Sequence, residues 1–165
     1  MSSDAHKRDA PKTVRYFVLT ISDTRTPATD TSGDAIVSLL EAGGHELTGR
    51  QIVKDDADAV RQVVLSQQAA ADVIITTGGT GITSRDSTYE AIVGLLDKRL
   101  DGFGELFRML SYPEIGAAAM LTRACAGTLG RTAIFALPGS EHAVRLGISK
   151  LILPELGHVV RELRR

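Results

Sequence analysis

The sequence predicts an α/β protein with a layered, mostly parallel sheet. Segments typical of strands alternate along the chain with segments of helical periodicity, which is the order that βαβ units produce. The run 72–76 (DVIIT) is β-branched and largely apolar, as expected of a strand buried on both faces. A glycine-rich stretch at 77–81 (TGGTG) follows it directly. Because ligands of such sheets bind at the carboxyl ends of the strands, the loops at that edge form the candidate site.

Four segments are predicted to be strands, because each is a short run with apolar residues that is bounded by polar or glycine residues. They are residues 14–21, 45–53, 72–77 and 132–137. Each strand leads into a turn of polar or glycine residues, at 22–24, 54–56, 77–81 and 138–140. If the four strands are neighbours in the sheet, these turns converge on one crevice.

Six segments are predicted to be helical. They are residues 31–42, 56–70, 87–96, 103–110, 113–121 and 140–165. In the first of them, Ile36, Leu39 and Leu40 share one face, and two glycines at 43 and 44 supply a stop. Pro113 is allowed in a first helical turn, whereas Pro154 is expected to break or bend the last helix.

Composition limits the class of protein. With 165 residues, the chain is expected to form one domain, residues 14–165, behind a disordered N-terminal tail at 1–13. A net charge of −1 and an aromatic content of 4% argue against a nucleic-acid partner. The single cysteine, Cys125, excludes an internal disulfide and a cysteine-rich zinc site. The tail is polar and no stretch approaches the roughly 20 apolar residues that span a bilayer, so we expect a cytoplasmic protein with no membrane partner.

The candidate anion site is the glycine-rich stretch after the third predicted strand. It consists of Thr77, Gly78, Gly79, Thr80 and Gly81. Ser87 and Glu90 then match the capping box that opens a helix. A strand, a glycine loop and a helix N-terminus in this order commonly form a phosphate site, with a plain strand-to-helix turn as the alternative. The glycine spacing matches neither a Walker A loop nor the dinucleotide fingerprint.

Three aspartates stand at the predicted helix starts on the same edge of the sheet. We interpret Asp56 as an N-cap, a role that explains an aspartate at such a position without any ligand. Asp55 and Asp86 would lie beside bound phosphates and would repel them unless a cation intervened. Mg²⁺ is usually held by one or two carboxylates together with substrate phosphates, so Asp55 and Asp86 are the candidate Mg²⁺ ligands.

Two further segments carry polar residues of functional interest. The first contains Gly104, Glu105 and Arg108, and its two charged residues share one helical face at i, i+3. Arg108 is interpreted either as a phosphate clamp or as one half of a surface ion pair. The second segment is the turn formed by Pro138, Gly139 and Ser140. It is either a plain helix start or a second wall of the anion site.

Five segments in this order resemble the MoaB/Mog family of molybdenum cofactor biosynthesis proteins. They are TISD at 20–23, DTSG at 30–33, TGGTG at 77–81 with Arg85 and Asp86, GFGELFR at 102–108, and LPGS at 137–140. EIG at 114–116 and MLTRA at 120–124 are similar to the MoaB branch in particular. The resemblance covers about residues 14–156, which is nearly all of the chain except the tail.

The resemblance implies a three-layer α/β/α fold and a homotrimer or homohexamer. It also implies adenylylation of molybdopterin by Mg²⁺ and ATP, giving adenylyl-molybdopterin and pyrophosphate, with hand-off to a molybdenum-insertion protein. Asp55 and Asp86 match the family's functional carboxylates, and would be the catalytic residues and the Mg²⁺ ligands. The residues implied to bind the substrates are Ser22, Thr77, Gly78, Gly79, Thr80, Gly81, Gly104, Glu105, Arg108, Pro138, Gly139 and Ser140.

Two other functions remain open from the sequence. One is a catalytically silent protein that binds molybdopterin or a nucleotide as a carrier or scaffold, and the other is a regulatory protein that binds a partner. Some members of the MoaB branch lack the acidic pair, whereas this chain has both Asp55 and Asp86, which favours the enzyme. Lys54 and Tyr89 stand where active members often carry proline.

Overall fold

The sheet of this protein contains four parallel strands and an antiparallel extension at one edge. A computed structural model describes residues 7–165. In that range the strands are β1 Arg15–Ile21, β2 Glu46–Val53, β3 Val73–Thr77, β4 Lys98–Arg99, β5 Cys125–Leu129 and β6 Thr132–Leu137. Their order is β2-β1-β3-β6-β5-β4. The first four of this order pair in parallel, while β5 runs antiparallel to β6, and β4 antiparallel to β5.

Helices connect the strands and cover both faces of the sheet. They are α1 Thr31–Ala42, α2 Ala57–Gln67, α3 Thr88–Val93, α4 Asp101–Ile115, α5 Glu141–Gly147 and α6 Leu153–Arg164. A 3₁₀ segment, Gly116–Leu121, follows α4, and a π-helical segment, Ile148–Ile152, joins α5 to α6. No helix within residues 7–165 is long and apolar enough to cross a bilayer.

Two hydrophobic clusters lie on opposite faces of the sheet, because successive strand residues point to opposite sides. In β1, Tyr16 and Val18 contribute to the cluster under α1, α4, α5 and α6. Phe17 and Leu19 of the same strand contribute to the cluster under α2 and α3. The three-layer α/β/α prediction is therefore confirmed, as is the mostly parallel sheet.

The antiparallel edge was not predicted from the sequence. Strand β5 (CAGTL) contains Gly127 and few β-branched residues, and β4 has only two residues. Neither segment has the apolar run that indicates a buried strand.

The helix predicted at 113–121 is also different in the structure. Helix α4 continues through Pro113 to Ile115, and Gly116 then takes a left-handed φ of 62° that ends it.

The long C-terminal helix changes its hydrogen-bonding pattern before Pro154. The π-helical segment spans Ile148–Ile152, and Pro154, which has no N–H to donate, lies in the first turn of α6 directly after it. The irregularity predicted at Pro154 is thus present, a few residues earlier in the chain.

The predicted tail, residues 1–13, is partly covered by the structure. Residues 1–6 lie outside the described range. Lys7 forms an ion pair with Glu155 of α6. A Cβ placed on Gly157 of the same helix would stand 2.6 Å from the carbonyl oxygen of Pro11. Residues 7–11 therefore lie against α6.

A buried carboxylate holds the N-terminal part of the sheet together. Asp30 caps α1 through the N–H of Gly33 at 3.0 Å, and it also accepts hydrogen bonds from Thr20 of β1 at 2.7 Å and Arg50 of β2 at 2.9 Å. Burial alone would raise the pKa of Asp30, but the hydrogen bonds from Arg50, Thr20 and Gly33 outweigh it and hold this pKa below its ordinary value. Two strands and a helix are thereby joined near the carboxyl edge of the sheet.

We expect Asp30→Asn to lower the free energy of unfolding by about 2–4 kcal/mol at neutral pH, because it removes the carboxylate from a buried pair. The lowered pKa stabilises the fold above the unfolded-state pKa of about 4, and this stabilisation is lost as the pH falls through the folded-state pKa. Urea denaturation between pH 7 and pH 3 should therefore show the difference between the two proteins shrinking below about pH 4.

Asp34→Asn is the matched control, since Asp34 pairs with the same Arg50 but is exposed. It should cost no more than about 1 kcal/mol. Equal costs for the two variants would contradict the role given to Asp30.

Candidate functional site

A cleft of about 610 Å³ lies at the carboxyl ends of β1, β2, β3 and β6. It is the crevice at the point where the strand order reverses, since the chain passes from β1 to β2 on one side and then to β3 on the other. Ten of the residues predicted to form the site line this cleft. They are Ser22, Asp55, Gly78, Gly79, Thr80, Gly81, Asp86, Pro138, Gly139 and Ser140.

The glycine loop begins with a close approach between two backbones. Gly78 and Gly79 have φ values of 104° and 69°, which L residues with side chains rarely adopt. A Cβ on Gly78 would clash with the carbonyl oxygen of Ile21, the last residue of β1. The Gly78 N–H donates to the carbonyl oxygen of Leu137 at the end of β6, at 3.0 Å. The loop is therefore fixed between the ends of two strands.

The carbonyl oxygens of Gly79, Thr80 and Gly81 are bonded to the protein, whereas, among the residues described, the N–H groups of these three residues are not. The carbonyl of Gly79 accepts from the N–H of Thr88 at 3.1 Å, that of Thr80 from the N–H of Arg123 at 2.9 Å, and that of Gly81 from Nε of Arg123 at 2.9 Å. Within residues 7–165, no hydrogen bond is made to the N–H groups of residues 79–81. These N–H groups are free to bind an anion.

Asp55 and Asp86 lie against the glycine loop, on residues that line the same cleft. Oδ2 of Asp55 is 3.1 Å from the position of a Cβ on Gly79, and Oδ2 of Asp86 is 2.7 Å from that of a Cβ on Gly81. Only glycine leaves room for these carboxylates. The structure therefore brings together the glycine loop and the two predicted carboxylates.

Each of the two carboxylates accepts hydrogen bonds from the protein through only one of its oxygens in the described part of the chain. Oδ1 of Asp55 accepts from the N–H and the hydroxyl of Ser87, at 3.1 and 2.7 Å. Oδ2 of Asp86 accepts from the N–H and the hydroxyl of Thr83, at 2.8 and 2.7 Å. In the described part of the chain, the other oxygen of each carboxylate makes no hydrogen bond.

The predicted capping box at Ser87 and Glu90 is not formed. Ser87 stands at the N-cap position of α3, but its side chain makes no capping bond, because its hydroxyl donates to Asp55 instead. Glu90 pairs with Arg123. By contrast, Asp56 caps α2 as predicted, accepting from the N–H of Ala59 at 2.8 Å.

Asp23 and Arg85 connect the loops after β1, β2 and β3. Asp23 accepts from the N–H of Asp55 at 3.2 Å and from the guanidinium of Arg85 at 2.7 Å. The hydrogen bond from Arg85 lowers the pKa of Asp23, with a smaller contribution from the N–H of Asp55. Both residues occur in the motifs that carry the family resemblance, and here they hold the Asp55 loop near the Asp86 loop.

The wall formed by the loop after β6 is fixed by hydroxyl groups and one arginine. Thr77 donates through its hydroxyl to the carbonyl of Pro138 at 2.8 Å, so this predicted site residue supports the cleft rather than lining it. Ser32 and Arg25 both donate to the carbonyl of Gly139, at 2.7 and 3.2 Å. Arg25 also lines the cleft and supplies a positive charge that sequence reasoning missed. No pattern marks it, because its acceptor is a backbone carbonyl 114 positions away.

Three predicted site residues lie outside the cleft. Gly104 and Arg108 line a neighbouring cavity of about 340 Å³, where the Arg108 guanidinium donates to the carbonyls of Thr122 and Ala124 at 3.5 and 3.4 Å. Glu105 is exposed and lines neither cavity.

Thr122 separates the two cavities, because it lines both of them. Its hydroxyl oxygen is buried and has no hydrogen-bond partner among residues 7–165. Cys125 lines the smaller cavity only, where burial raises the pKa of its thiol to about 11. The thiol is therefore protonated at neutral pH.

A doubly covered, mostly parallel sheet with a glycine loop and two carboxylates at its switch point is typical of the α/β proteins that bind a ligand at this edge of the sheet. The model of the family described as "Probable molybdopterin binding domain" matches residues 17–158. The molybdenum cofactor biosynthesis protein B of Bacillus cereus is 55% identical over 168 residues, which covers 100% of this chain and 99% of that protein.

Solved structures agree with the sequence comparison. The crystal structure of a molybdenum cofactor biosynthesis protein B is 56% identical with a TM-score of 0.92, and the match covers 95% of this chain and 99% of the other. The tungsten cofactor synthesizing protein MoaB from Pyrococcus furiosus is 41% identical with a TM-score of 0.85, covering 94% and 100% of the two chains. This chain belongs to the MoaB/Mog family of molybdenum cofactor biosynthesis proteins, as its motifs predicted.

We expect Gly78→Ala to destabilise the fold by about 2–4 kcal/mol, because a side chain at this left-handed position meets the backbone of β1. Gly102→Ala is the control, since a Cβ there has nothing within 4 Å and lies in the first turn of a helix. It should be neutral or slightly stabilising, by up to about 1 kcal/mol. Thermal unfolding of the two variants measures both effects, and a Gly78→Ala protein as stable as the control would contradict the close approach.

Proposed function

We propose that this protein adenylylates molybdopterin. In this reaction an oxygen of the terminal phosphate of molybdopterin attacks the α-phosphorus of ATP. The bond from the α-phosphorus to the bridging oxygen breaks, and pyrophosphate leaves. Membership of a family described as molybdopterin binding supports the substrate class. The adenylylated product would be passed to a protein that inserts molybdenum.

The observation that carries the proposal is the meeting of the glycine loop with Asp55 and Asp86 in one cleft. The free N–H groups of residues 79–81 suit the phosphate oxygens of a nucleotide. The unbonded oxygens of the two carboxylates, Oδ2 of Asp55 and Oδ1 of Asp86, suit Mg²⁺, which prefers oxygen ligands and is shared with substrate phosphates. When bound, Mg²⁺ would neutralise charge on the polyphosphate.

The side chains of the cleft fit a reaction that needs positioning more than proton transfer. A phosphate nucleophile is already ionised near neutral pH, so a general base is not required, and catalysis consists of alignment and charge stabilisation. Arg25 contributes a guanidinium to the cleft, and Ser140 contributes a hydroxyl at the start of α5. Neither group has to accept a proton.

The neighbouring cavity is the place that we propose for the pterin of the substrate. Thr122 lines both cavities, so a ligand that extends from one into the other would pass this residue. Gly104 keeps the cavity open, since a Cβ there would stand 2.8 Å from the carbonyl oxygen of Ala124. Under this proposal, Gly104 and Arg108 would have the binding role predicted for them.

A catalytically silent binding protein is the second candidate function. The observation in its favour is that each carboxylate already has a structural task, Asp55 with Ser87 and Asp86 with Thr83. In addition, no group of three or more histidine, cysteine, aspartate or glutamate side chains placed to hold a metal occurs within the described residues. A silent protein would bind molybdopterin or the nucleotide and leave ATP intact.

We expect Asp86→Asn to reduce pyrophosphate release from Mg²⁺, ATP and molybdopterin by roughly a hundredfold, because the oxygen offered to Mg²⁺ becomes an amide group. Asparagine can still accept the hydrogen bonds of Thr83 through its carbonyl oxygen, so the loop is expected to keep its form. Pyrophosphate is measured with and without molybdopterin.

Asp58→Asn serves as the control, since Asp58 is an exposed aspartate of α2 that pairs with Arg61. It should leave the rate unchanged. If the unsubstituted protein binds ATP without releasing pyrophosphate, the silent candidate is correct. If Asp86→Asn works at the full rate, Asp86 has no catalytic role.

An exposed apolar face on α4 supports the proposed homotrimer or homohexamer. Leu106, Met109, Tyr112 and Ile115 recur at intervals of three residues, and all four are exposed. Because a step of three residues falls short of a full helical turn, adjacent members of this set lie side by side and the set winds across the helix, with Met109 and Tyr112 farthest from the buried side. The opposite side of α4 carries the buried Phe103 and Phe107. A helix that is apolar on both sides is expected to be covered on both.

We expect Met109→Lys to dissociate the oligomer to single chains, because it places a charge in the proposed interface. Leu65→Lys is the matched control: Leu65 is also exposed but lies on α2, on the other side of the sheet. Light scattering gives the mass of each variant. Dissociation by both substitutions, or by neither, would argue against an interface on α4.

A further inference from the structure

Arg123 contacts the segment that carries the proposed Mg²⁺ ligand at three backbone positions. Its own N–H donates to the carbonyl of Thr80 at 2.9 Å, and Nε donates to the carbonyl of Gly81 at 2.9 Å. A terminal nitrogen of the guanidinium donates to the carbonyl of Asp86 at 3.3 Å. The planar guanidinium can serve two carbonyls at once because its donors form a rigid fork.

The orientation of Arg123 is itself fixed by two neighbours on α3. The guanidinium forms an ion pair with Glu90 and lies over the ring of Tyr89, with 5.1 Å from its central carbon to the ring centroid. Hydrogen bonding from Arg123 lowers the pKa of Glu90, so the pair stays charged at neutral pH. Helix α3 thus orients the Arg123 side chain, and Arg123 in turn binds the loop carbonyls.

The residues between the glycine loop and Asp86 have few other supports. Residues 82–85 are exposed, and the contacts that hold them are the Thr83–Asp86 turn and the pair of Arg85 with Asp23. Arg123 does not line the cleft but lines the neighbouring cavity, so its side chain is placed behind the loop. By binding the carbonyl of Thr80 through its own N–H, Arg123 leaves the N–H of the same peptide unit, that of Gly81, on the opposite side for a ligand.

We propose that Arg123 is a positioning residue: it sets the direction of the glycine loop and of Asp86 toward the cleft. Arg123 is not a catalytic residue, since it acts through the loop that it holds. The effect on turnover rests on the function proposed above, whereas the effect on the loop does not. The two can therefore be tested separately.

Arg123→Lys is the informative variant. Lysine keeps the positive charge beside Glu90 and the backbone N–H that binds Thr80, but its ammonium cannot hold Gly81 and Asp86 in the fixed geometry of a guanidinium. Hydrogen exchange is measured on protein without metal and nucleotide. We expect the bonded N–H groups of Asp86, Ser87 and Thr88 to exchange about tenfold faster in this variant.

Arg61→Lys is the control for hydrogen exchange, because Arg61 pairs with Asp58 on the surface of α2. It should leave exchange in residues 78–88 unchanged. Unchanged exchange in Arg123→Lys would overturn the inference. Faster exchange across the whole chain would also overturn it, because Arg123 would then support the fold in general and not the loop.

The Mg²⁺ dependence of turnover supplies the second measurement. We expect Arg123→Lys to raise the half-saturating Mg²⁺ concentration about tenfold, because the carboxylate of Asp86 is present but less well directed. Excess Mg²⁺ should then restore most of the rate. Asp86→Asn should not be rescued in this way. A lower rate in Arg123→Lys with unaltered Mg²⁺ dependence would contradict the positioning role. If the unsubstituted protein shows no turnover, the proposed function fails, and hydrogen exchange alone decides on Arg123.

Discussion

The close contact between Gly78 and the end of β1 is the constraint on which the site depends. The chain leaving β3 passes directly over the carbonyl of Ile21, where no side chain fits. Gly139, after β6, also lies against this segment, since a Cβ on it would stand 3.4 Å from the Cα of Gly78. Three loops therefore meet backbone to backbone. The surface that a ligand would touch consists of peptide groups, whose N–H donors do not have to be ordered when an anion binds.

Charged side chains around this contact form hydrogen bonds from each loop to a neighbouring loop. Asp23 binds the backbone of Asp55, Asp55 binds Ser87, and Arg85 returns to Asp23. The loops after three different strands are thus connected by short-range electrostatic contacts before any ligand is present. In the proposed reaction, such prior ordering reduces the entropy that binding and alignment must overcome.

The parts predicted from the sequence are those with a local signal. Strand β3, the glycine loop and the cap at Asp56 each follow from a few adjacent residues. Residues 125–129 form a strand because β6 and β4 pair with them, and Gly127 is required there by Leu96 and the carbonyl of Lys98, which are distant in sequence. Ser87 matches a capping motif in the sequence, but in the structure its hydroxyl donates to Asp55, 32 positions away. The contacts of Arg123 could not be predicted either. Its acceptors in the loop are backbone carbonyls, and these leave no pattern in the sequence.

The buried thiol of Cys125 has a consequence for the sulfur chemistry of the proposed substrate. Molybdopterin carries a dithiolene, and if this group were oxidised to a disulfide, a thiolate could attack one of its sulfurs and displace the other, giving a mixed disulfide. With a pKa of about 11, Cys125 is almost entirely in its unreactive form at cellular pH. A sulfur-bearing molecule can therefore rest in the cavity beside it without being captured covalently.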